Sequence, residues 1–356
     1  MKKNQQYKET HLFGVVDIND ENFDSDLINF VKEFGIVVIK NVMSSNECDL
    51  YTEQTIDALE QVSHFRRNDL ETWIPQNLPQ QVRPGMFHEV ICNIPSVNAI
   101  RFNPNIIRIF KVYYSHFKDK HYDDIDLIVS NDGVNIKPGL VPPYESGIDW
   151  AHIDQTEDSD KPFKCIQGQM VLSNTSACFR ASPKSHKLFS NYLAQSENAN
   201  GKGNFLKFRA EQYPLMQKKL ENIGGSWQIK IPAMKGDFII WTSSTVHSAT
   251  LQEKPERPVK MDKWNGWRHV VYVCYRTRDE FKEEELKKKY QSFLENRVTN
   301  HWSTMIFPKG FNKKSKKNDY SEKVCNFSEE PQSVYDIKGL RPNLTNEQQI
   351  MMGRAK

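Results

Sequence analysis

Apolar positions follow two rhythms along this chain. The first 125 residues are mostly helical in period. Asp24 or Ser25 can cap a helix through Lys32, and Gly35 can close it. Gly35-Ile36-Val37-Val38-Ile39-Lys40 is a β-branched run of strand length. Ser44 and Glu47 have the spacing of a capping box and open a helix to about Val62. Asn103–Phe117 sets Ile106, Ile107, Phe110 and Tyr114 on one side of another helix. Residues 64–100 hold several prolines and no sustained period, which predicts a long functional or covering loop.

From residue 126 the rhythm shortens. Asp126–Ser130, Gln167–Leu172, Trp227–Ile231, Phe238–Trp241 and His269–Tyr275 read as short strands separated by turns, and Asp279–Asn296 as a charged helix. The fold class that follows is mainly β with flanking helices, a barrel or sandwich rather than a βαβ fold. The expected organisation is one domain over residues 1–307, with a helical N-terminal portion and a β core at about 126–276. A basic and polar C-terminal extension, 308–356, follows. Its Lys309, Lys313, Lys314, Lys316 and Lys317 predict a solvated surface tail.

Composition adds exclusions. A net charge of +3 over 356 residues does not by itself imply nucleic acid. The Lys309–Lys317 run is only lightly interleaved with aromatics (Phe311, Tyr320), so the nucleic-acid reading stays a minor one. The polar start Met1-Lys2-Lys3-Asn4 lacks the apolar stretch of a secretory signal, and no run approaches a membrane span. Cys48, Cys92, Cys165, Cys178, Cys274 and Cys325 contain no C-x-x-C and read as reduced thiols, so the expected compartment is cytoplasmic.

Three separated residues suggest chemistry. In an extended segment, side chains two apart point the same way, so His152 and Asp154 can aim at one point. His247 follows the Gly236-Asp237-Phe238-Ile239-Ile240-Trp241 turn and strand and is the candidate third ligand. Two imidazoles and a carboxylate are the ligand set of non-heme Fe(II) oxygenases, which leaves positions open for cosubstrate and O2. The pattern alone says little, because His121-Tyr122-Asp123 repeats it in a charged run that reads as surface loop. A dicarboxylate cosubstrate also needs an anchor, and a guanidinium can meet a carboxylate with two parallel hydrogen bonds. Arg268 opens an apolar strand that would fix its direction and is favoured. Arg257, nearer His247 in a proline-flanked loop, stays open as a rival.

Taken in order, these segments resemble the phytanoyl-CoA dioxygenase-like family of Fe(II)- and 2-oxoglutarate-dependent oxygenases over about residues 90–305. Asp126–Gly133 is similar to a family strand and turn, and His152-Ile153-Asp154-Gln155 to the iron motif. Gln167–Leu172 is similar to the next strand, and Ala181–Lys187 to a Pro-Gly-Ser-His-Lys signature with Lys184 where Gly is usual. Gly236–Trp241 with His247 resembles the distal-histidine unit, Arg268–Tyr272 the cosubstrate strand, and Arg297–Trp302 a late segment of some members.

The resemblance implies a double-stranded β-helix core of jelly-roll, cupin-like type. It implies Fe(II) on His152, Asp154 and His247, with 2-oxoglutarate held by Arg268 beside Gln169. The implied reaction is hydroxylation of a small organic substrate with release of succinate and CO2. Trp150 and Gln155 flank the ligands and are candidate substrate contacts, and His186 is expected to bond a turn rather than a metal. There are departures from the family. Some twenty residues separate His247 from Arg268 where about ten are common, and Gln169 stands where some members carry Trp. Two other readings fit the same residues: an inactive β-helix binding or scaffold protein, and a metalloenzyme that does not use 2-oxoglutarate. Substrate identity and oligomeric state are not readable from the chain.

Overall fold

The β-branched run after Gly35 becomes strand β2 (Ile36–Lys40), near one edge of the larger of two principal sheets. The computed structural model describes residues 12–143, 150–174, 179–193, 204–251, 264, 266–307, 327 and 330–356. Eight strands make the large sheet. In spatial order they are β1 (Gly14–Asp17), β2, β12 (Phe238–Thr242), β8 (Ile166–Val171), β14 (Arg268–Tyr272), β6 (Val134–Lys137), β4 (Met86–Phe87) and β3 (Gln81–Arg83). β1 and β2 pair in parallel and all other neighbours antiparallel. A second sheet runs β10 (Leu206–Lys207), β7 (His152–Ile153), β13 (His247–Ala249), β9 (Phe179–Ala181) and β11 (Ile229–Lys230). A separate pair joins β5 (Leu127–Val129) to β15 (Tyr275–Thr277).

Both faces of the large sheet are covered, so β2 and β12 read as near-continuous apolar runs rather than alternations. Val37, Ile39, Phe238, Ile240, Met170 and Val271 pack against helices α1 (Phe23–Phe34), α2 (Ser45–Val62) and α4 (Pro104–Phe117). On the other face Ile36, Val38, Ile239, Trp241, Val171 and Val270 meet Phe179 and Ala181 of the second sheet. Burying each such side chain contributes about 1.5–3 kcal/mol. The second sheet's far side is closed by Ala151, Ile153, Leu206, Phe208 and Met216, the last from α5 (Tyr213–Glu221). The space between the sheets is where a site can form.

Helix ends follow local chemistry closely. Ser44 Oγ accepts the Glu47 N–H and Glu47 Oε2 accepts the Ser44 N–H, so the capping box is real. Gly35 adopts φ 73° and closes α1 through its N–H to Val31. The cap of α1 is Asn22, not Asp24 or Ser25, because the helix starts two or three residues earlier than the polar pattern suggested.

Four expectations are corrected. Residues 64–100 are not simply a covering loop. They contribute β3, β4 and α3 (Pro95–Arg101) and bury Phe65, Leu78, Phe87, Ile91 and Val97 in the main core. Strands of two and three residues are too short to carry a detectable period. β1 and β6, four residues each, are also strands that the apolar pattern does not mark. The run His269–Tyr275 splits, since Val273 donates to Gly168 and Tyr275 leaves to pair with Val129. The chain end is no surface tail over 330–356: Val334, Leu340 and Met352 are core residues. There α7 (Asn346–Met351) packs near α6 (Glu283–Leu294), whose buried Lys289 donates to the Met352 carbonyl. The lysine run 309–317 lies outside the described residues, as do Arg257, Cys178 and Cys325. Cys48, Cys92, Cys165 and Cys274 are free and buried. No helix among the described residues is long and apolar enough to cross a membrane.

Candidate metal centre

His152, Asp154 and His247 come together on the inner side of the second sheet. One ligand atom from each lies within 4.8 Å of the others, a cluster able to hold a metal ion. His152 and His247 are directly paired residues of β7 and β13, and directly opposed residues share a face. Asp154 follows β7 at the next same-facing position. Its Oδ2 is 3.7 Å from His152 Nε2 and 3.2 Å from His247 Nε2.

The rings are held in the tautomer a metal needs. His152 Nδ1 lies 3.1 Å from the Trp150 carbonyl and His247 Nδ1 lies 2.9 Å from the Thr245 carbonyl. Because a carbonyl only accepts, each Nδ1 carries the proton and each Nε2 presents a lone pair toward Asp154. Burial pushes the His152 imidazole below its usual pKa, and neighbouring His247 adds to this. Burial opposes the Asp154 charge. The adjoining His152, with His301 and His247 behind it, outweighs that and holds the carboxyl well below the usual range. The set offers two imidazole Nε2 atoms and one carboxylate oxygen, donors suited to a divalent metal.

A surrounding layer fixes the carboxylate. Gln167 of β8 donates from Nε2 to Asp154 Oδ2 at 3.0 Å and to Ser243 Oγ at 3.1 Å. The Asp154 backbone is held as firmly: its N–H donates to Ser243 O, and its carbonyl accepts from Trp302 Nε1 at 3.1 Å. His301 Nε2 is 3.4 Å from the same carbonyl. Gln167 and this use of Trp302 were missed in the sequence. The signal for Gln167 was available, since it shares a strand face with Gln169.

Arg268 starts β14 on the face that looks into the same space. It is 4% exposed. Nη1 donates to the carbonyl of Thr250, one residue past β13, while buried Nε and Nη2 have no partner among the described residues. Leaving donors of a buried cation unpaired costs several kcal/mol, so the position is poised for an anion. Near it on the same face, Gln169 Oε1 is also buried without a partner, as is Trp241 Nε1. Trp241 packs 5.3 Å from the His247 ring, which ties this polar lining to the triad.

Trp150 stacks on His152 with ring centroids 4.3 Å apart at 10°, and donates from Nε1 to Ala249 O at 2.6 Å. Gln155 points away from the triad. Its amide donates to the Lys161 carbonyl at 2.8 Å and braces the loop after Asp154. His186 bonds the Lys32 carbonyl at the end of α1 and stands apart from the cluster. His121 and Asp123 are exposed at the surface. A depression of about 690 Å³ lies behind Trp302, lined by Phe117, Phe163 and Arg276, and does not include the triad.

No family model matches the chain. A Dictyostelium discoideum protein named "Putative phytanoyl-CoA dioxygenase" is 28% identical over 137 residues, 35% of this chain. The match spans about a third of that relative's length, 35%. Among solved structures, the hypothetical protein JW0805 of Escherichia coli aligns with TM-score 0.60 at 10% identity, covering 97% of this chain and 85% of that one. GlcNAc Inducible Gene 2, GIG2 (DUF1479), of Candida albicans aligns with TM-score 0.51 at 14% identity, covering 96% and 84%. At such identities the likeness is one of fold, and large β sheets with flanking helices are what these chains share.

Proposed function

We propose that this chain is a non-heme Fe(II)- and 2-oxoglutarate-dependent dioxygenase that hydroxylates a small organic substrate. The observation that carries the reading is the pairing of two features in one space. A His-Asp-His cluster stands at one end, and a buried arginine with two unpaired donors, Arg268, is tied to the strand that bears His247. The name of the Dictyostelium relative agrees with it. The facing sheets are read as a double-stranded β-helix, in which the second sheet supplies the metal ligands and the large sheet the cosubstrate anchor.

In this reading His152 and His247 offer Nε2, Asp154 offers a carboxylate oxygen, and the opposite side is left open. Arg268 binds the C5 carboxylate of 2-oxoglutarate, and Gln169 and Trp241 line its pocket. Bound Fe(II) with 2-oxoglutarate and O2 supplies the oxidation, in which one oxygen atom enters succinate, the other the substrate, and CO2 leaves. The chain's own work is to fix the ligand tautomers, hold Asp154 ionised and keep water from the interior. Gln167 keeps the carboxylate from turning, and Trp302 holds the Asp154 backbone in place.

The test is succinate release after anaerobic loading with Fe(II), together with bound metal per chain. Wild type should bind one equivalent and convert 2-oxoglutarate, and Asp154→Ala should do neither. Equal succinate release by the two proteins would sink the assignment. Metal binding without 2-oxoglutarate turnover would instead point to a metalloenzyme of another kind.

A further inference from the structure

Arg83 ends the edge strand of the large sheet, in the segment from 64 to 100 whose role the sequence did not disclose. Register places it at the site. Arg83 is opposite Met86, Met86 opposite Asn135, and Asn135 opposite Val270. Directly opposed residues share a face, and Val270 belongs to the interior between the sheets. Pairing shifts between Gln81 and Arg83, an irregularity of the kind that re-aims a side chain at a sheet edge.

The guanidinium is then held over the Trp150 ring at 4.0 Å from its centroid. Trp150 in turn lies 4.3 Å from the His152 ring, so the charge sits no more than about 8 Å from a metal ligand. Trp150 is itself fixed by its hydrogen bond to Ala249. Yet among the described residues the cation has no counter-ion. Arg83 is exposed, and apart from partial burial only the Tyr272 phenol acts on it among the described residues. Other arginines near the surface are matched differently: Arg67 meets Glu53, Asp57 and Glu60, and Arg278 meets Glu283. A planar cation braced on an aromatic face and left unpaired beside a reactive centre is suited to bidentate capture of an oxyanion.

We propose that Arg83 binds a carboxylate or phosphate group of the substrate, making the substrate a small organic oxyanion. The pull of Arg83 would place the rest of the molecule over the triad, past the exposed ring of Phe205, which lies 5.1 Å from His152. This specificity rests on the oxygenase reading for what happens to the bound molecule, but anion binding itself does not.

The experiment is calorimetric titration of the full chain with benzoate, phenyl phosphate and neutral benzyl alcohol. One equivalent of 2-oxoglutarate is present to occupy Arg268, since an excess of this dicarboxylate would also fill Arg83. Wild type should bind benzoate or phenyl phosphate and ignore benzyl alcohol, and whichever binds more tightly identifies the anion. Arg83→Gln, at an exposed position without an ion pair, should melt with wild type and lose at least tenfold in affinity. Arg83→Lys should recover part of it. Equal binding by Arg83→Gln, binding lost only in Arg268→Gln, equal binding of benzyl alcohol, or no anion binding by wild type would each overturn the proposal. Failure of succinate release with anion binding intact would count against the oxygenase reading alone.

Discussion

Gln167 Nε2 donates to Asp154 Oδ2 at 3.0 Å, joining the two sheets through the carboxylate at the centre of the candidate site. Removing that donor frees the carboxylate to rotate. Gln167→Leu should weaken metal binding by about 10–100-fold, the usual cost of losing an outer partner of a metal ligand. Competition against a chelator of known affinity measures this. An unchanged constant would mean that Ser243 and Trp302 alone hold Asp154.

Under the proposed function, Arg268 and Arg257 are rival anchors for the cosubstrate. Arg268→Lys keeps the charge but loses the fork, and should raise the dissociation constant for 2-oxoglutarate at least tenfold. Arg257→Lys should change it little. A loss confined to the Arg257 variant would reassign the anchor.

Asp132 gives a pH signature in the metal-free protein, where the Asp154 charge adds to the effect of burial. Burial raises its carboxyl to about 7, against bonding by the Gly133 N–H that works to lower it. A carboxyl raised in the folded state costs nothing below the unfolded value near 3.8. The cost grows as pH rises and levels off near 7. Asp132→Asn keeps the Oδ1 acceptor and removes the charge. It should be more stable than wild type at pH 8 by on the order of a few kcal/mol, with the gap closing toward pH 4. Denaturant midpoints across that range decide it, and a gap independent of pH would rule out Asp132 as its source.

The chain end should matter to the core and not to the chemistry. Met352 is fully buried, and its backbone carbonyl accepts from Lys289. Met352→Ala should cost about 2–5 kcal/mol, as other large-to-small core changes do. Metal affinity should remain as in wild type. A loss well under 1 kcal/mol would show that the segment only rests on the surface.

What could be read in the sequence was local. The capping box at Ser44, the αL close at Gly35 and the strand parity of His152 and Asp154 depend on residues a few positions apart, and each took the form its chemistry requires. The role of Arg268 was half legible: its strand position predicted direction, but its unpaired Nε and Nη2 depend on Thr250 and the opposite sheet. Trp302 and Arg83 were illegible as neighbours of the triad because their partners lie 148 and 67 positions away. The segment 64–100 misled for a related reason. Its apolar residues are placed by the surfaces they fill, so no repeat marks them.

The bond from Trp302 to the Asp154 carbonyl spans 148 residues, and the site also draws on Gln167 and His247 between them. Such a centre cannot exist in a half-made molecule. Long-range closure comes late in folding because its entropy must be met before the contacts reward it. Under the proposed function the metal position would therefore act as a seal on completed folding. A chain made only as far as β8 offers His152 and Asp154 without His247, and a finished one would gain stability from the ion in proportion to the logarithm of free metal over its dissociation constant.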